Sequence, residues 1–224
     1  GAFGLHVWLP GAYAEAADDF SSFFSAALSK VAVFALMAAL AVFGEALPGG
    51  ELAWRVVGWV GILGAVLGAL AAIFQEDAKY ALAFSSMGQM GYVLAALAMR
   101  DQMGWTTALY LAATHFLYKG MMWLSVAGAS LRTGTRTMYL MGGLIKRMPI
   151  SFVSFLVGII ALSGVPPLTG FGGKWLLYHS LIAKGWYFEA AASFLASGIA
   201  FLYLYRMIHS IFLGQPKDEH RTVK

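Results

Sequence analysis

Residues 21–43 form a 23-residue run whose only charge is Lys30, near its middle. A run of that length crosses a bilayer as a helix, and backbone inside lipid has to satisfy its own hydrogen bonds. The chain is thereby confined to packed membrane helices. A lysine at mid-bilayer costs at least about 2.5 kcal/mol, so it rarely persists without a task. Lys30 lies ten or so residues into its run, roughly 15 Å at the helical rise, which is too deep for easy snorkelling.

The rest of the sequence agrees with that class. Of its 224 residues, 60% are hydrophobic and only 12% charged, against about 25% charged in soluble domains. The expected fold is all-α and integral to the membrane. With no cysteine, disulfides, thiolate metal sites and iron–sulfur ligation are excluded. The net charge of +4 is not a nucleic-acid signal, because the basic residues cluster beside the apolar runs. The chain starts at Gly1 with no basic stretch before an apolar core. No cleavable signal peptide is expected, and the chain reads as beginning inside a larger protein.

Six transmembrane helices are expected, at residues 21–43, 54–74, 80–99, 105–129, 150–182 and 188–213. They form a single membrane domain over residues 1–214, followed by a tail at 215–224. The fifth run is too long for one straight crossing and contains Ser163-Gly164-Val165-Pro166-Pro167. Proline removes a backbone donor and clashes with the preceding turn. This span therefore reads as discontinuous, two half-helices joined by an unwound stretch at 164–173. Such breaks often mark ion sites in transporters. Arg132, Arg136, Lys146 and Arg147 occupy the loop after the fourth run, with no acidic residue from 130 to 149. That loop should face the cytoplasm, together with the tail. The opposite loops carry one basic residue each: Arg55, Arg100 and Lys184.

His115 and Lys119, four apart in mid-span, stack on one helix face, which Leu111 and Trp123 extend. A lone histidine in such a place is commonly a satisfied core residue, but a like-charged neighbour argues against that. No second His, Asp or Glu shares the face, so no metal site is expected. Lys174 directly follows Gly170-Phe171-Gly172-Gly173. The competing reading is a snorkelling lysine at a half-helix start, and the glycine-rich break favours a site. Lys79 reads equally as a site or as an interfacial anchor paired with Glu76 or Asp77. His179 lies a turn or so beyond Lys174 and is a weaker candidate; His6 and His209 read as interfacial. No phosphate loop, catalytic triad or haem motif appears, and no cofactor is expected.

Four strings together resemble one family. His6-Val7-Trp8-Leu9-Pro10-Gly11-Ala12-Tyr13, followed by Ser25 and by Ser29-Lys30, resembles the HxWLPdAH…SxllxxxxxK pattern of antiporter-like membrane subunits. Residues 75–92, with Asp77, Lys79, Ser85-Ser86 and Gln89-Met90-Gly91-Tyr92, resemble the same family's DxKrxlAySSxxqmGy segment. Thr114-His115-Phe116-Leu117-Tyr118-Lys119 is similar to its THaffKa motif. Ser163-Gly164-Val165-Pro166-Pro167-Leu168-Thr169-Gly170-Phe171-Gly172-Gly173-Lys174 is similar to its GxPPlxGFxxK motif. Such subunits occur in respiratory complex I (the NADH dehydrogenase), in formate-hydrogenlyase-type hydrogenases and in Mrp-type cation/proton antiporters. Where the family has Asp and His this chain has Gly11 and Tyr13. Near Ala17, where the family has Pro, it has Asp18-Asp19.

The resemblance implies the second half of a fourteen-helix fold and a proton path near the membrane centre. In it Lys30 links two half-channels, Lys79, His115 and Lys119 belong to the second, and Lys174 is the lysine of the broken helix. The implied function is proton translocation in a redox-driven oxidoreductase complex, with other membrane subunits and the lipid bilayer as partners and the cytoplasmic (inner) membrane as location. The alternatives are a Mrp-type Na+/H+ antiporter subunit and a structural subunit with a vestigial path. Retention of Lys30 and Lys174 argues against the last.

Overall fold

A computed structural model describes Gly4, residues 6–44 and residues 50–216. The expected tail lies outside the described residues from 217 onward. Among the described residues there is no strand, and Asp77 and Thr137 form one isolated antiparallel bridge. The helices are α1 (Trp8–Glu15), α2 (Asp18–Phe23), α3 (Ser29–Phe43), α4 (Glu51–Ile73), α5 (Ala78–Ala98), α6 (Gln102–Thr133), α7 (Pro149–Ser163), α8 (Thr169–Ala183) and α9 (Tyr187–Ile208). A π-helical turn, Phe24–Leu28, joins α2 to α3, and a second, His209–Leu213, continues α9.

Four helical stretches are long and apolar enough to cross a membrane: Asp18–Phe43, Glu51–Ile73, Ala78–Ala98 and Tyr187–Leu213. α6 has 32 residues, about 48 Å at 1.5 Å per residue, but carries more polar side chains. α7 and α8 have 15 residues each, so neither spans a roughly 30 Å hydrocarbon core alone.

α4 and α5 approach each other through small residues. A Cβ on Gly61 would meet the Gly91 carbonyl at 2.5 Å, and one on Gly68 the Gly88 amide at 2.9 Å. Lipid-embedded helices associate by such close backbone contact, because lipid offers no hydrophobic gain for bringing them together. Side chains close the helix ends. Asp77 caps α5 by accepting from the Lys79 and Tyr80 amides, and Asp101 caps α6 through Gly104. Arg206 of α9 donates to the carbonyls of Ala72 and Ile73, in the last turn of α4, and of Gln75 just beyond it. At the opposite end Arg55 of α4 forms a two-pronged pair with the fully buried Glu189 of α9, at 2.5 and 3.1 Å.

α5 is the buried axis of the bundle. α3 stands at the edge, with Val31, Phe34, Val42 and Phe43 all more than half exposed.

The fifth run is broken, but over a shorter stretch than expected. α7 ends at Ser163 and α8 starts at Thr169, so residues 164–168 form the break and Gly170, Gly172 and Gly173 are helical. Gly164 takes the left-handed cap (φ 72°) that a side chain resists. The later glycines allow contact instead of unwinding. A Cβ on Gly170 would run into the Ala161 carbonyl, and one on Gly173 would lie 2.9 Å from Leu111. Lys174 is thus in the second turn of α8, not at its start.

Candidate functional site

The π turn prepares the surroundings of Lys30. Ser21, Ser25 and Ser29 recur every fourth residue, and two of them bond back to carbonyls four residues earlier: Ser21 to Ala17 and Ser29 to Ser25. Such back-bonding competes with the helix ladder and bends it. The Ser25 carbonyl becomes available to the Lys30 amine, which donates to it at 2.7 Å and to Ser29 Oγ at 3.0 Å. Across the gap to α6, Lys30 Nζ lies 2.5 Å from His115 Nδ1. Which nitrogen donates depends on where the proton is. The other histidine nitrogen, Nε2, is buried and unpartnered, a position that suits a water molecule. A flank cavity of about 410 Å³ between α3 and α6 reaches Lys30 past Ala27, Phe34, Ala112 and Phe116.

Lys119 lies one turn along α6 and points elsewhere. Its amine donates to the Leu82 carbonyl at 2.9 Å and to Ser85 Oγ, both on α5. Ser86, beside it, shares a 2.9 Å hydrogen bond with Ser25 of the π turn. The serine pair of α5 thereby touches the Lys119 contacts on one side and the Lys30 contacts on the other. Among the described residues none of Lys30, His115, Lys119 and Lys174 is in an ion pair; the ion pairs lie toward the two ends of the bundle.

Lys174 points inward, as the break suggested, and is 3% exposed. Its amine donates to the Ser163 carbonyl, at the end of α7, at 3.2 Å. The amine also sits 5.4 Å from the centre of the Tyr92 ring. Its contacts are therefore on α7 and α5, and not with His115 or Lys119. A side cavity of about 430 Å³ opens here between α8 and α9. Tyr92 in turn bonds Ser193 and Ser197 of α9. His179 is exposed, five residues past Lys174 and so on another face of α8.

Lys79 is separate from this group. It is 4% exposed at the start of α5, and its amine meets Asp18 Oδ1 at 2.9 Å and the Ala16 carbonyl at 2.8 Å. The expected partners were Glu76 or Asp77. Asp77 instead caps its helix and pairs with Arg136 at 3.0 Å. Arg136 also pairs with Glu15, whose carboxyl it holds below the usual range by hydrogen bonding.

Reading the sequence for charge missed one set of side chains. Ser85, Gln89 and Tyr92 recur at i, i+4 and i+7 along the buried face of α5. They run from the Lys119 contact, past a Tyr118–Gln89 hydrogen bond of 3.2 Å, to the ring beneath Lys174. These residues stand in the 75–92 segment quoted above, but none is charged, and the spacing alone does not say which lysines they meet.

Known proteins resemble the chain in sequence and in fold. The chain is 31% identical over 221 residues to NADH-quinone oxidoreductase subunit N of Desulforudis audaxviator, covering 98% of this chain and 44% of that protein. It superposes with a TM-score of 0.90 and 34% identity on a chain of the membrane-bound sulfane sulfur reductase, an archaeal respiratory membrane complex, covering all of this chain and 38% of that one. A chain of the Mrp complex from Dietzia sp. DQ12-45-1b also gives a TM-score of 0.90, at 26% identity, over 96% of this chain and 40% of its own length. The chain spans less than half the length of each of these proteins. Residues 1–200 match the family described as NADH:quinone oxidoreductase/Mrp antiporter, TM, and the chain belongs to that family.

Proposed function

We propose that this chain is the second half of a proton-translocating, antiporter-like subunit, working within a multisubunit membrane complex coupled to a redox reaction. Lys30, Lys79, His115, Lys119 and Lys174 form its proton path. The observation that carries the reading is the 2.5 Å contact between Lys30 and His115. Two groups that exchange protons touch there, between helices and, among the described residues, without a carboxylate partner. Holding a charge so deep costs several kcal/mol, so the amines are expected to gain and lose protons as their surroundings change.

In this reading the chain crosses the membrane six times, with α6 as the fourth span and α7 and α8 together as the broken fifth. Arg132, Arg136, Lys146 and Arg147 mark the cytoplasmic side, where the expected tail at 215–224 belongs too. The exposed apolar face of α3 meets lipid or a neighbouring subunit. No cofactor or metal is part of the path.

The test is transport by the assembled complex in sealed vesicles. Lys30→Ala should abolish redox-driven proton uptake while assembly persists, and normal uptake would refute the reading. The similarity to the Mrp complex chain favours one second reading, exchange of Na+ for H+ without a redox partner. Proton movement driven by a Na+ gradient alone, with redox substrate withheld, would select it.

A further inference from the structure

We propose that Asp18 is the residue through which Lys79 exchanges protons with water at its end of the bundle. This rests on the proton-path reading above and extends it to one carboxylate.

The Lys79 side chain is 5% exposed and that of Asp18 30%, and their charged atoms are 2.9 Å apart. Lys79 has almost no surface of its own for water, whereas Asp18 bridges the boundary. The other charged groups around the pair are committed. Glu15 of α1 is bound to Arg136, and Asp77 of α5 to Arg136 and to its own helix start. Asp19 of α2 accepts from the Phe20 amide. Arg136 thus holds two of these carboxylates, and among the described residues Asp18 is the one in contact with the Lys79 amine, while Glu15 is near enough to feel its charge. Such a pair is neutral with the shared proton on either member. The second Lys79 contact, the Ala16 carbonyl at 2.8 Å, only accepts. Asp18 also heads the continuous stretch Asp18–Phe43 that carries Lys30.

The step balances by itself. The Asp18 carboxylate takes a proton from a hydronium ion, whose O–H bond breaks to leave water. Its O–H bond then breaks as an N–H bond forms on a neutral Lys79 amine, leaving a carboxylate and an ammonium. The reverse transfer returns the proton to water, and no other reactant is needed.

The competing role is a clasp that holds the start of α2 on α5. The experiment separates the two in the assembled complex, in sealed vesicles. Asp18→Asn keeps an oxygen for the lysine and removes the transferable proton. It should cut proton transport by about tenfold, a small effect for a positioned proton donor. Asp18→Glu should restore most of it. Lys79→Arg keeps the ion pair, but arginine does not release its proton, so transport should fall as it does with Asp18→Asn. Full transport in Asp18→Asn, equal losses in Asn and Glu variants that assemble, or a silent Lys79→Arg would each overturn the proposal. If Asp18→Asn fails to assemble, Asp18→Ser takes its place: a tenfold loss in an assembled complex supports the proposal and full transport overturns it. Should Lys30→Ala transport normally, the broader reading falls; if only the Asp18→Asn variant does, the entry role alone is lost, and if Lys79→Arg does too, Lys79 leaves the path with it.

Discussion

At Lys30 the helix never stops. One wide turn, Phe24–Leu28, loosens the ladder, and the lysine takes the Ser25 carbonyl from five residues back along its own helix. At Lys174 the helix stops outright over residues 164–168, and the lysine reaches eleven residues back to the Ser163 carbonyl at the end of the preceding helix. Both backbones end with a lysine amine on a carbonyl the ladder has released. The means differ: serine back-bonding in the first case, a left-handed glycine and two prolines in the second. The settings differ too. α3 lies at the edge of the bundle with an exposed face, whereas α7 and α8 are locked together by the Gly170–Ala161 approach. A π turn is a small distortion with a short way back to regular helix, while residues that include two prolines cannot re-form the ladder. The Lys30 contact is therefore the adjustable one and the Lys174 contact the fixed one.

The largest effect should come from arginine at either lysine. Lys30→Arg and Lys174→Arg keep the charge but not the exchangeable proton, and each should lower proton transport by about a hundredfold or more in reconstituted vesicles. A loss at one site only would show that the two breaks do different jobs. Next is Gly170→Ala, whose methyl group would meet the Ala161 carbonyl. Overpacking of this kind costs about 1–3 kcal/mol, read as a lower thermal midpoint in detergent. The same change at Gly120, beside the softer region and with Ala26 as its nearest neighbour at 3.6 Å, should leave the midpoint nearly unchanged. Third, His115→Ala should reduce transport by about tenfold, less than the roughly hundredfold or more of a typical proton-transfer group, because water in the vacated space can bridge the gap. The smallest effect is Ser29→Ala, which removes one hydrogen bond to Lys30, worth about 1 kcal/mol or roughly fivefold in transport rate. A silent Ser29→Ala would mean that the π turn holds Lys30 through the Ser25 carbonyl alone.

The two regions were not equally legible. The break before Lys174 could be read because proline acts on its own backbone whatever surrounds it. Its extent was misread, because Gly170, Gly172 and Gly173 are equally compatible with unwinding and with close packing. Only the positions of Ala161, Tyr110 and Leu111 decide between them. The π turn was not foreseen, since no proline or glycine marks it; the serine spacing of four was its one local sign. The buried depth of Lys30, Lys119 and Lys174 followed from their place in apolar runs. Their partners did not. Lys79 finds Asp18 sixty-one residues away, and Lys30 finds His115 at a separation of 85. Such pairings depend on how helices are laid side by side, and helical periodicity carries no information about that.

The buried character of α5 bears on how the chain enters a membrane. Its most apolar 18-residue window has a mean hydropathy of 1.3, against 2.3 for α4, and 83% of that window is covered by the rest of the chain. Its glycines and serines suit contact with neighbours and make it a poor substrate for insertion alone. α4 lies just before it, joined by the short turn at 74–77. The pair should leave the translocon as one hairpin, with α4 carrying α5 into lipid. A reporter fused after Ala98 should therefore integrate when α4 is present and fail when α4 is deleted.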